Sequence, residues 1–280
     1  MTLKITVSAA AIGLSNYLVQ LFTKNKLADV SIMGINTFQQ LVVAIFILFF
    51  TNFFLSHEQS FIFSFIYLLI SVLSGGFFYV IAQHNKLSSK NIFIYGILTN
   101  ILITALAYFL LTSNVTNQDI IKIRFSYYQN KIFGGLVLVN DFSNIYLTII
   151  LLVICLIWTF CLRLKLMALN SLTNKTSTLG FKNKLIKFNL ILLVSILGSI
   201  VFGLIGIVAF VGVSVSFITN KIFCNFNYSV FGSMLIAIIF MLISQYIQIT
   251  ISYFASPISL TTISGFVSCL IFLGFLIFRG

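Results

Sequence analysis

The sequence predicts an all-α fold, a polytopic helical membrane protein with about nine transmembrane helices, and three observations lead there. Of 280 residues, 60% are hydrophobic and 7% are charged. A single proline interrupts the chain, whose mean hydropathy is +1.14. The apolar residues gather into eight uncharged runs, each long enough to cross a bilayer as a helix.

In chain order the runs are residues 5–22, 32–55, 61–83, 92–112, 144–162, 188–218, 229–254 and 258–278. The sixth has 31 residues, about 46 Å of helix against a hydrocarbon core of about 30 Å. It is expected to break, with Gly203, Gly206 and Gly212 as the structural glycines of that break. Breaking it adds one crossing and reverses the side of everything downstream. Nine crossings place 12 of the 16 Lys and Arg residues in the cytoplasm, whereas eight place only 10 there. The positive-inside rule therefore favours nine, with the N-terminus outside and the C-terminus inside.

Between the fifth and sixth runs the chain turns strongly basic, with Arg163, Lys165, Lys175, Lys182, Lys184 and Lys187 and no acid. This is read as a large cytoplasmic loop over about residues 163–187. Orientation accounts for its lysines. It does not account for Ala168, Leu169, Leu172, Leu179 and Phe181, apolar side chains interleaved with Ser, Thr and Asn as in short helices that bury themselves in a partner groove. Gly180 is placed as a helix C-terminal residue.

Composition also excludes function classes. The net charge of +12 comes from connectors, where anionic lipid and orientation explain it without nucleic acid. No run contains Asp, Glu, Lys, Arg or His, so no proton relay is offered within them. Phosphate loops, nucleophile elbows and zinc-binding spacings are absent from the sequence, and Cys155, Cys161, Cys224 and Cys269 show no CxxC pattern. The chain reads as no enzyme, with no metal site and no cofactor of its own. What remains is a neutral pathway for a solute that arrives already chelated, with energy supplied by a partner ATPase.

Candidate pathway residues are Gln20, Asn36, Gln39 and Gln40, whose amides could equally bridge helices. Ser195 and Ser199 are a second set. With Gly203 they recur every four residues, a stripe that suits close helix packing as well as a pore.

Four blocks in order resemble the FecCD or BtuC-like permeases, membrane subunits of ABC importers for iron-siderophore complexes, haem and cobalamin. They are GLSNYLVQLFTKNKLADVSIMGI (Gly13 to Ile35), MALNSLTNKTSTLGF (Met167 to Phe181), GIVAFVGVSVSFITNK (Gly206 to Lys221) and the closing segment from Ser256 to Phe278. The chain departs from the family at Lys26, in place of a proline, and at Ser216 and Phe217, in place of a Pro-His pair. Ser244 and Gln248 stand where relatives often carry Asp and Arg. The resemblance implies a single permease domain over residues 1–280 with a BtuC-like fold, lacking the family's usual first helix.

It further implies a homodimer or a pair of related permeases in the bacterial cytoplasmic membrane, with the pathway between the subunits. An ABC ATPase would hold Ala168, Leu169, Leu172, Leu179, Gly180 and Phe181 and use the ATP. An extracytoplasmic solute-binding protein would deliver the cargo. A diverged subunit that no longer transports and a secondary carrier stay open as alternatives.

Overall fold

In a computed structural model, the described residues are 2–25, 28–31, 34–50, 61–84, 89–112, 118–133, 143–171, 183–223, 225–254 and 258–277. They form eleven helices: α1 (Thr2–Thr23), α2 (Thr37–Phe49), α3 (Phe61–His84), α4 (Ser89–Thr112), α5 (Gln118–Ile132), α6 (Ser143–Cys161), α7 (Arg163–Ser171), α8 (Asn183–Ile205), α9 (Val211–Ile222), α10 (Phe226–Phe254) and α11 (Leu260–Ile277). No strand occurs among the described residues.

α1 is the hub, packing mainly on α10 and α8 and also on α9. A central helix must be buried all round, and α1 is, because Ala9, Ala10, Ala11, Gly13 and Ser15 let neighbours approach from several sides. At Gly13 an added Cβ would lie 2.3 Å from the Ser233 carbonyl oxygen of α10. α3 meets α8 in the same way: Gly75 leaves room for the Ser195 hydroxyl, and the Ser71 hydroxyl donates to the Ser195 carbonyl. A smaller apolar cluster joins Val43, Ala44 and Ile47 of α2 to Phe63, Tyr67, Ala107, Tyr128 and Phe202.

Among the described residues, five helices are long and apolar enough to cross a membrane: α1, α10 and the stretches Ile62–Val80, Ile94–Thr112 and Leu185–Ile205. The apolar stretches Thr37–Phe49, Ile145–Cys161 and Leu260–Gly274 are shorter. The extra crossing expected from the sequence would fall on α9, whose 12 residues reach only about 18 Å; α9 is not among the five, and the expected count of nine is not established.

α5 has no counterpart among the apolar runs. It is a polar helix with Asp119 in its first turn and Lys131 in its last, charges that suit the helix dipole. Tyr128, Lys131 and Ile132 form its buried face.

Candidate functional site

α8 ends at Ile205, and Gly206 takes a left-handed φ of 85°. An added Cβ there would sit 2.3 Å from the Ile132 carbonyl oxygen, so glycine is required both by conformation and by space. That carbonyl, at the end of α5, instead accepts a hydrogen bond from the Ile207 amide at 2.8 Å. Gly203 lies inside α8. Its carbonyl faces the Lys131 ammonium at 3.5 Å, which also stands 5.4 Å from the Tyr67 ring centroid. The break closes at Phe210, left-handed at φ 63°, a conformation costly for a residue with a side chain.

A second irregular segment, the connector between α1 and α2, folds back to meet this break. The Val30 amide donates to Asn16 Oδ1 at 3.0 Å, while Asn16 Nδ2 donates to the Ile12 carbonyl at 3.0 Å. Asn16 precedes the end of α1 by about 10 Å of helix, so Val30 lies well inside the bundle. The Asn16 side chain also lies against Gly212, where an added Cβ would be 1.9 Å from it. Gly212 thus belongs to the first turn of α9 and to its seat on α1. Such backbone is tolerated at depth only when protein or enclosed water covers it.

Asp29 sits at this junction, 1% exposed. Its Oδ1 accepts from the Ser31 amide and hydroxyl, both at 2.9 Å. Its Oδ2 is buried without a hydrogen-bond partner among the described residues.

The sequence candidates divide into helix bridges, hydroxyls bonded within their own helix, and a residue that lines a cavity. Gln20 Oε1 accepts from Asn220 Nδ2 at 3.3 Å, tying α1 to α9. Gln39 Nε2 donates to the Tyr67 carbonyl at 3.0 Å, tying α2 to α3. Asn36 is buried against Gly198 of α8. The Ser195 and Ser199 hydroxyls bond back to the Ile191 and Ile196 carbonyls of their own helix. Gln40 lines a cavity, and its Oε1 accepts from Thr104 at 3.4 Å. Ala168 and Leu169 lie on the backbone of α7 without described side chains, and Leu172, Leu179, Gly180 and Phe181 lie outside the described residues.

That cavity, about 450 Å³, lies where α2, α4 and α5 meet the break and α11. Its wall is apolar and aromatic, including Tyr108, Phe210 and Phe266, with Gln40, Thr104, Thr261, Thr262 and Tyr128 among its polar groups and no charged side chain. The Thr261 hydroxyl is engaged with the Phe133 carbonyl at 2.6 Å, whereas the buried Tyr128 hydroxyl has no hydrogen-bond partner.

The sequence reading missed Asp29, Lys131 and Tyr128. Asp29 carried a signal, as one of only four acids in the chain. Lys131 and Tyr128 carried none, because they lie between apolar runs on a helix that hydropathy does not mark.

A multi-pass helical bundle with an interrupted crossing beside an uncharged cavity defines a membrane transport protein. The chain belongs to the FecCD transport family, whose model matches residues 1–279, and this is a transport family rather than an enzyme class. A solved metal-chelate type ABC transporter in an inward-facing conformation is similar over 100% of this chain and 85% of its own, with a TM-score of 0.83 at 15% identity. PsaBC from Streptococcus pneumoniae, solved in complex with Fab, is similar over 96% of this chain and 88% of its own, with a TM-score of 0.62 at 12% identity. No curated protein matches by sequence. The fold is therefore that of ABC transporter permeases.

Proposed function

We infer that the protein is the permease subunit of a binding-protein-dependent ABC importer, carrying an iron complex, as a siderophore or haem, or cobalamin. A separate ATPase binding the loop around residues 163–187 powers the movement. The observation that carries the reading is the uncharged, aromatic-walled cavity beside the break between α8 and α9, in a chain of the FecCD transport family. Neutral walls suit a solute whose metal is already enclosed, since a bare divalent ion would want carboxylate or imidazole ligands. Among the described residues no group of three or more His, Cys, Asp or Glu could hold a metal ion.

Two copies, or this chain with a related permease, would enclose the path. An extracytoplasmic binding protein would load it from outside. Neither Asp29 nor Lys131 is among the residues that line the cavity.

The test is uptake of ferric siderophores, haem and cobalamin into vesicles holding the permease and its co-expressed ATPase, with and without ATP. ATP-dependent uptake of one of these is expected. Failure of any ATPase to co-purify, or uptake indifferent to ATP, would remove the ABC assignment. Gly265→Phe supplies a second arm. An added Cβ at Gly265 meets only the Ala209 carbonyl, at 3.7 Å, so the ring has room to enter the cavity. Uptake is expected to fall at least tenfold with membrane insertion unchanged.

A further inference from the structure

Phe210 is held in a costly backbone conformation, and its ring is left uncovered. The Val211 amide donates to the Ala209 carbonyl at 2.9 Å, closing a three-residue turn whose middle residue, Phe210, has φ 63° and ψ −16°. Such a turn is strained for a residue with a side chain, whereas glycine would adopt it freely. What the strain maintains is the place of the ring, which is 45% exposed and forms part of the cavity wall. Strain of this kind gathers where a side chain is placed for use.

Phe266 of α11 stands in the same wall, 67% exposed. Neither Phe210 nor Phe266 makes a ring–ring contact among the described residues, whereas Tyr108 in that wall is already stacked on Phe125, with centroids 5.4 Å apart. Gln40 is 7% exposed. Its Oε1 accepts from Thr104, and its Nε2 has no partner among the described residues. A cavity of about 450 Å³ has the size of a small-molecule site. This one offers two uncovered rings, an amide donor and no charge.

We propose that the solute of this cavity is an uncharged chelate built on aromatic rings, with Phe210 and Phe266 as the residues that select it and Gln40 as the donor to an oxygen at a ring edge. The two rings meet a ring of the solute in stacked or edge-to-face contact. An anionic chelate would lose its water there with no cation to meet it. This assignment rests on reading the cavity as the solute's site.

Site-resolved alkylation of the purified full chain in lipid nanodiscs tests it without an ATPase or uptake. Cys269 is a free thiol in the cavity wall, and the exposed Cys161 of α6 serves as the reference. The probes are the gallium complexes of maltol and of acetohydroxamate, each with excess ligand. Both are uncharged and enclose a redox-inert metal in oxygen donors, but only maltol brings rings. The maltol complex is expected to protect Cys269 at a concentration about tenfold lower than the acetohydroxamate complex, with Cys161 unaffected.

Phe210→Gly removes the ring and suits the backbone. It is expected to raise the half-protecting concentration of the maltol complex about three- to tenfold and that of the acetohydroxamate complex by less than about twofold, with the thermal midpoint equal or higher. Phe210→Tyr keeps a ring and should keep the preference. Equal protection by the two complexes, or protection by neither, would overturn the ring assignment, while ATP-dependent uptake stands or falls on its own measurement. A lower midpoint or loss of dimer in Phe210→Gly, with protection unchanged, would also overturn it, because the ring would then pack against protein, a second copy included.

Discussion

Gly206 shows how one residue fixes a crossing. Its positive φ and the nearby Ile132 carbonyl act together, so Gly206→Ala must either push α5 away or straighten the break. The expected cost is about 2 kcal/mol or more, read as a lower thermal midpoint in detergent. Gly76 is the matched control: it is helical, and an added Cβ would meet nothing within 4 Å. Gly76→Ala is expected to raise the midpoint, by about 0.5–1 kcal/mol of stability. Tyr128→Phe removes a buried hydroxyl without a partner. It should leave stability unchanged or slightly higher, and a change in uptake kinetics alone would mark that hydroxyl as a solute contact.

At the scale of elements, α5 behaves as a strap whose C-terminal residues fasten the break. Ile132 accepts from Ile207, Lys131 faces Gly203 and Tyr67, and Phe133 accepts from Thr261 of α11. Lys131→Met should loosen this fastening at a cost of about 1–2 kcal/mol and make α5 more sensitive to limited proteolysis. Lys122→Ala should do neither, since its ion pair with Asp119 is 3.6 Å long and exposed. Hydropathy made the long helices legible in the sequence, because lipid requires about 20 apolar residues per crossing. The length of the sixth run likewise made a break legible near Gly206. α5 was not legible, since what holds it is a set of carbonyl and ring contacts to distant helices. The amide candidates were half legible: burial was foreseeable, but whether Gln39 bridges helices and Gln40 lines a cavity depends on helix rotation, which a single sequence does not encode.

For the whole molecule, the working prediction concerns the basic loop. Leu179→Asp and Phe181→Asp should abolish co-purification of an ATPase while leaving membrane insertion normal. Retained association would place the ATPase contact elsewhere on the cytoplasmic side. Both variants keep every lysine of the loop, so orientation should not change.

The junction at Asn16, where the Val30 amide and Gly212 meet α1, also constrains how the protein is made. α1 emerges first from the ribosome, yet the helices that pack on it, α8, α9 and α10, come from the second half of the chain. α9 covers little more than half of the hydrocarbon core and packs on α1, α10 and α11, so it must settle together with these helices rather than as an independent segment. Until then Asn16 and Asp29 wait without their final neighbours, and the opening connector is exposed to quality-control proteases during synthesis. Nascent chains stopped before residue 211 should therefore be cut within the α1–α2 connector, and chains extended past α10 should resist cleavage there.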